Sequence, residues 1–256
     1  RMQDAFVLHT IEEALELKKF LVYLQPKISL ETGEVVGAEA LARWEKENGE
    51  IVTPNEFILP LEQSGKIVHL DFYMFETILQ QMKQWKQMGY PLIPISVNFS
   101  RQHIKTEGLV ERLVELQQEY QIDTSLLEIE ITESAFIEDQ QALISLMEKL
   151  KQQGFSISID DFGTGDCSLS MLTKLPANVV KLDKEFLCHS ESNSTKKMLK
   201  NVICLIKDNQ MKVLCEGIEE KEQMEFLKQA GCDMGQGYYF SKPVSVKVFE
   251  EKYFLS

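Results

Sequence analysis

Oxygen-bearing side chains recur in this sequence at the ends of short apolar runs. Glu39 follows Val35-Val36, Asn98 follows Ile95 and Val97, and Glu130 lies between Ile129 and Ile131. The adjacent pair Asp160-Asp161 closes Ile157 to Ile159, Glu216 closes Val213 to Cys215, and Glu133, Asp183, Glu219 and Gln236 end or follow similar runs. Lys181 sits inside one, between Val180 and Leu182. Carboxylates crowded at one rim repel each other, and each is costly to keep ionised in a partly buried cup unless cations neutralise the group. Divalent metals meet that need. Donors that are all oxygen, with no His or Cys among them, suit Mg2+ or Mn2+ better than Zn2+, and two neighbouring aspartates can bridge two ions about 4 Å apart.

Such a rim needs elements to hold it. Eight runs rich in Ile, Val, Leu and Tyr read as strands, at Phe20 to Gln25, Val35 to Leu41, Leu92 to Asn98, Leu126 to Thr132, Phe155 to Asp161, Val179 to Asp183, Lys212 to Ile218 and Met234 to Phe240. Helical stretches separate most of them. Their starts are marked by Thr53-Pro54, Thr106 or Glu107, Asp139, Ser194 and Glu219, and Gly89, Gly154 and Gly231 mark stops. Eight alternating units in about 250 residues imply a closed (β/α)8 barrel of the TIM type. The first two strands are joined by Pro26 to Glu34, too short for a crossover helix, so they are expected to pair antiparallel.

Strand alternation then sorts the polar residues. Ser96 and Asn98 share one face, as do Glu128 and Glu130, and Ser156, Ser158 and Asp160, while the intervening residues are apolar. The polar faces point into the barrel, where ordinary barrels pack branched apolar side chains, so the pattern is better explained by a site than by structure.

Composition excludes several classes. The 256 residues are 44% hydrophobic and 26% charged, with 13 Gly and 7 Pro, which rules out collagen-like and disordered chains. No apolar run approaches the roughly 20 residues that span a bilayer, so direct membrane insertion is not expected. A formal net charge of -13 opposes sequence-independent binding to DNA or anionic lipid. The five cysteines, 167, 188, 204, 215 and 232, form no C-x-x-C pair, and residues 1–20 carry no apolar leader region, so a reducing, cytoplasmic location is expected. One domain over residues 1–256 fits the absence of any Gly/Ser/Pro linker, and a start at Arg1 reads as a piece of something longer.

The motifs also resemble a family. Glu39-Ala40-Leu41-Ala42-Arg43-Trp44 is similar to the signature of the EAL domains, bacterial cyclic di-GMP phosphodiesterases. The likeness extends through Gln25-Pro26, Ser96 to Ser100, Glu130 to Glu133, Asp160 to Gly165, Lys181 to Asp183, Glu216 to Glu219, Gln236 to Tyr238 and Ser241 to Pro243, in the family's order. It implies an α/β modified TIM barrel with a reversed first strand and hydrolysis of cyclic di-GMP to linear pGpG with two Mg2+ or Mn2+ per site, Ca2+ inhibiting. It assigns Glu39, Asn98, Glu130 and Asp160 to one metal, and Asp160, Asp161 and Glu216 to the second. Lys181 would orient or activate water, and Glu216 competes with it as proton acceptor. Gln25, Leu41, Arg43, Gln236 and Pro243 would hold the nucleotide. Glu133, Thr164, Asp183 and Glu219 would support loops and ligands. A homodimer and an upstream sensor or diguanylate-cyclase-like domain are the implied partners.

After Gly165 relatives carry an aromatic and a serine, where this chain has Asp166 and Cys167, a loop thiol that could sense redox state. The other cysteines read as buried small hydrophobes, Trp85 as packing, Glu128 as a structural hydrogen-bonding group and the histidines as surface or satisfied core residues. Two rival functions remain: a receptor that binds the dinucleotide without cleaving it, and an unrelated barrel enzyme using Mg2+ to stabilise an enolate.

Overall fold

The structure is a computed structural model that describes residues 11, 13–137, 139–163, 169–188 and 193–255. In chain order the strands are β1 (Phe20–Ser29), β2 (Val35–Glu45), β3 (Ile51–Val52), β4 (Ile95–Asn98), β5 (Leu127–Thr132), β6 (Ser156–Phe162), β7 (Val179–Leu182), β8 (Lys212–Cys215), β9 (Met234–Gly235) and β10 (Val244–Ser245). Eight of them close a ring in the order β1-β9-β8-β7-β6-β5-β4-β2, completed by the pairing of β1 with β2. From β2 through β4 to β9 every ring neighbour is parallel, whereas β1 is antiparallel to both β2 and β9. The chain is a modified (β/α)8 barrel with its first strand reversed.

Around the ring lie α1 (Ile58–Ser64), α2 (Ile67–Met88), α3 (Leu109–Tyr120), α4 (Gln140–Gln152), α5 (Glu185–Cys188), α6 (Asn193–Asp208), α7 (Lys221–Gln229) and α8 (Val246–Tyr253). Each long helix buries one stripe. On α2 it comprises Leu70, Met74, Phe75, Ile78, Leu79, Met82 and Trp85, spaced three or four apart as an amphipathic helix requires. These side chains meet the outward faces of the strands, including Ile95, Val97, Ile129, Ile157, Ile159, Val180 and Val213, in one continuous buried core. Fully burying one such side chain contributes roughly 1.5–3 kcal/mol.

Several boundaries differ from the sequence reading. Gly89 ends α2 with φ 74, but α3 starts behind Gly108 rather than at Thr106 or Glu107, and α7 starts behind Glu220, whose capping box with Gln223 displaces Glu219 as the cap. The seventh and eighth ring strands stop early, at Cys215 and Gly235. The backbone of Ile218 lies 2.2 Å from where a Cβ on Gly237 would sit, so only glycine lets the two chain ends approach there. β1 instead runs past its expected end at Gln25 to Ser29, straight through Pro26. Proline is tolerated because it falls between Tyr23-Leu24, paired with β10, and Ile28-Ser29, paired with β9, so on that side no partner needs its missing N–H. Cys215 and Cys232 are buried, but Cys204 is exposed on α6, contrary to the reading of it as a core residue. Thr164, Asp166 and Cys167 lie outside the described residues. No described helix is long and apolar enough to cross a membrane.

Candidate metal centre

Parallel strands deliver their C-terminal ends to one mouth, and register sets the height of each side chain there. Gln25 lies opposite Glu39, Glu39 beside Ser96, Asn98 beside Glu130, and Thr132 beside Asp160. Asp161 breaks the alternation that would turn it outward. The β6–β7 register slips between Ile159 and Phe162, and Asp161 takes a left-handed backbone with φ 55. Asp tolerates that conformation, and a bulge re-aims the side chains it carries. Both neighbouring aspartates therefore reach the mouth.

The result is two groups of carboxylates, Glu39–Glu130–Asp160 and Asp160–Asp161–Glu216, in each of which one oxygen per residue lies within 4.8 Å of the others. Asp160 belongs to both. Asn98 joins the first group, donating its Nδ2 hydrogen to Glu39 Oε1 at 3.0 Å. At the centre Lys181, fully buried, reaches Glu130 at 2.6 Å, Asp160 and Glu216 at 2.9 Å each, and Glu39 at 3.4 Å. Gln236 donates to Glu39 Oε2 at 2.6 Å and to Gln25 Oε1 at 3.0 Å, and Gln25 donates to the Ser241 carbonyl at 3.1 Å. The buried Oε1 of Gln236 has no hydrogen-bond partner among the described residues.

The supporting residues are placed less uniformly. Glu133 accepts the Gly163 N–H at 2.6 Å, tying the turn after the aspartate pair. Asp183 accepts the Glu185 N–H at 2.7 Å and so caps α5. Glu219 is exposed and takes part through its backbone, which donates to Gln223 Oε1, so its carboxylate is not gathered with the donors. Leu41 lines the mouth cavity, and Pro243 is half-buried just before β10. Arg43 lies with its guanidinium 5.4 Å from the Tyr23 ring centroid, and Lys242 stands 5.2 Å from that of Tyr238.

Two buried charges went unread in the sequence. Lys27 on the extended part of β1 reaches Glu128 at 2.7 Å and Glu130 at 2.8 Å. Its parity with Gln25 was the available signal, hidden by ending the strand at Pro26. Asp71 on α2 accepts the Ser100 N–H at 2.9 Å and pairs with buried His103 at 3.0 Å, anchoring the segment that follows Asn98.

The electrostatics follow from counting charges. Burial alone would lower Lys181, yet the surrounding Asp160, Glu130, Glu216 and Glu39 outweigh it and hold its pKa well above the usual lysine value. Lys27 is raised in the same way by Glu128 and Glu130 against the opposing effect of burial. Burial would raise Glu130, but contact with both lysines holds it down at about 2. The other carboxylates have too little counter-charge. Burial raises Glu39, Asp160 and Asp161, and pushes Glu216 up to about 8, with Asp160 and Glu39 adding to its shift and Lys181 opposing it. Six acids, Glu39, Glu128, Glu130, Asp160, Asp161 and Glu216, face two lysines. An excess of hard, negatively charged oxygen donors fits divalent Mg2+ or Mn2+.

A cavity of about 590 Å3 adjoins this set and is lined by Glu39, Leu41, Asn98, Asp160 and Asp161. A larger one, about 780 Å3, opens at the opposite end beside Lys27, Glu128 and Lys212. None of the residues of the two carboxylate groups lines it, so the smaller cavity is the one that opens onto them.

Comparison with known proteins agrees with this geometry. The bifunctional diguanylate cyclase/cyclic di-GMP phosphodiesterase MucR of Pseudomonas aeruginosa is 33% identical over 93% of this chain and 35% of its own length. The oxygen sensor protein DosP of Escherichia coli is 33% identical over 91% of this chain and 29% of its own length. The chain thus spans about a third of these relatives. The solved PaMucR phosphodiesterase in complex with c-di-GMP superimposes with a TM-score of 0.88 at 32% identity, covering 95% of this chain and 99% of that one. The EAL domain model matches residues 9–243, and with the reversed strand, the two carboxylate groups and the buried lysine in place, the chain belongs to the EAL domain family.

Proposed function

We propose that this chain hydrolyses cyclic di-GMP to linear pGpG with the aid of two divalent cations, Mg2+ or Mn2+. The observation that carries the reading is Asp160, which belongs to both carboxylate groups and so stands where two cations would share a ligand. Glu39, Asn98, Glu130 and Asp160 would hold one ion, and Asp160, Asp161 and Glu216 the other. When bound, the ions supply Lewis acidity toward the phosphodiester and lower the pKa of water.

The protein's own groups divide the remaining work. Lys181 has carboxylate partners at 2.6, 2.9 and 2.9 Å, one for each of its three N–H groups. It has no lone pair to accept a proton, so it balances charge in the site, and to orient the attacking water it would turn one N–H from a carboxylate to that water. Glu216, whose side chain is 20% exposed at the rim, would take a proton in its ionised form, which divalent cations beside it would favour. Gln25 and Gln236 form a fixed amide pair for the nucleotide. Arg43, backed by Tyr23, offers a fork to its phosphate, and Leu41 and Pro243 pack beside it. In the whole protein, a neighbouring sensor or diguanylate-cyclase-like domain is part of this proposal, supported by the names of MucR and DosP, and a homodimeric state is proposed with it.

The test is to incubate the purified chain with cyclic di-GMP and Mg2+ or Mn2+ and separate the products chromatographically. Appearance of pGpG is expected. Binding without turnover would make the chain a receptor, and neither binding nor turnover would remove the proposal.

A further inference from the structure

The residue beneath the site matters as much as those around it. Ordinary barrels fill this level with branched apolar side chains, and here Val179 and Leu214 do so on one wall, buried yet outside the main hydrophobic cluster. On the facing wall stand Lys27 and Glu128, 5% and 8% exposed, paired at 2.7 Å. Replacing such a buried pair by apolar residues is often neutral or favourable, so stability is a poor reason for its presence. Lys27 makes a second contact, to Glu130 Oε1 at 2.8 Å, while Glu130 Oε2 is 2.6 Å from Lys181. The two oxygens of Glu130 are thus held by two different ammonium groups, which fixes the carboxylate plane and leaves each oxygen with a free lone pair. Lys27 faces the barrel by the ordinary alternation it shares with Gln25, opposite Gly37 of β2, and the register slips only beyond it, where Val36 of β2 is the extra residue.

We infer that Lys27, braced by Glu128, is a positioning residue that orients Glu130 toward the cation shared with Glu39 and Asp160. The inference rests on the reading of Glu130 as a metal ligand. Its test is the double substitution Lys27→Met with Glu128→Leu, which removes one charge of each sign and so leaves the net charge met by a dication unchanged. Mn2+ binding to the purified chain is measured by titration calorimetry, with thermal unfolding followed in parallel. The double variant should fold with a melting temperature at or above that of the wild type, and bind Mn2+ about 10- to 100-fold more weakly, the loss typical of groups that orient a ligand. A folded variant that binds Mn2+ within about twofold of wild type overturns the positioning role. Failure of the variant to fold also overturns it, making the pair a structural one. A wild-type chain that takes up no Mn2+ overturns the metal reading itself and this inference with it.

Discussion

Lys181→Met removes the central positive charge while keeping most of the side chain's volume. In the native site this ammonium faces Glu130, Asp160 and Glu216 at 2.6–2.9 Å and Glu39 at 3.4 Å, with no exposure to solvent. Removing one partner of a buried ion pair costs about 3–5 kcal/mol, because the charge left behind is uncompensated. Several carboxylates lose their partner here, which favours the upper end. Glu216, raised to about 8, already holds its proton through much of the neutral range and softens the loss. A cost of about 4 kcal/mol, at about 2–4 °C per kcal/mol for a chain of this size, lowers the metal-free melting temperature by about 8–16 °C. Millimolar Mn2+ should restore much of that in the variant, since dications supply the missing charge, but it should not restore turnover. Scanning calorimetry in chelator and in Mn2+, at pH 6 and 8, measures both effects. The penalty should be larger at pH 8, where the crowded acids can no longer shelter as neutral groups. A metal-free variant melting within about 2 °C of wild type would refute the account of Lys181 as the internal counter-charge.

Other expectations follow from the same charges. Glu39→Ala should leave the barrel folded, because the crowded Glu39 carboxyl is already raised above its usual range, yet turnover should fall by more than about 100-fold; retained turnover would mean the ligand set is wrong. Ca2+, which accepts looser geometry and longer bonds, should inhibit the Mg2+-supported reaction competitively, and activation by Ca2+ in a competition assay would contradict the tight oxygen cage. The metal-free protein should be most stable in weak acid. Glu216 has a folded pKa near 8 against an ordinary 4.5, so its contribution is complete below about 4.5 and is lost as pH rises toward 8. Glu130, held at about 2, contributes above 4.5 and loses that contribution as pH falls toward 2. A metal-free melting temperature that climbs steadily from pH 5 to 8 would contradict this balance.

Alternation along the strands made much of the site legible in advance. Ser96 with Asn98, Glu128 with Glu130, and Ser158 with Asp160 could be assigned to the interior because one face of each strand is polar and the other is Ile or Val. What alternation cannot show is where it is interrupted. Asp161 reaches the mouth only through a register slip and a left-handed backbone, neither of which has a mark in the sequence beyond the tolerance of aspartate for that conformation. Lys27 was hidden for the opposite reason. Pro26 reads as a strand end, and only the tertiary pairing, with β10 on one side of it and β9 on the other, lets the strand continue. The short final strands were overread for want of knowing that Gly237 must pass against the backbone of Ile218.

The reversal of β1 has a mechanical corollary. In a barrel whose strands all run the same way, the polypeptide enters at the floor, farthest from the chemistry. Here Phe20 opens its strand beside Trp44, at the late end of β2, and Ala14 is already buried just before it. The segment before β1 therefore docks on the rim where the carboxylates gather, and a twist or pull applied through it would be felt first by the strand that carries Gln25 and Lys27, without being relayed across the barrel wall.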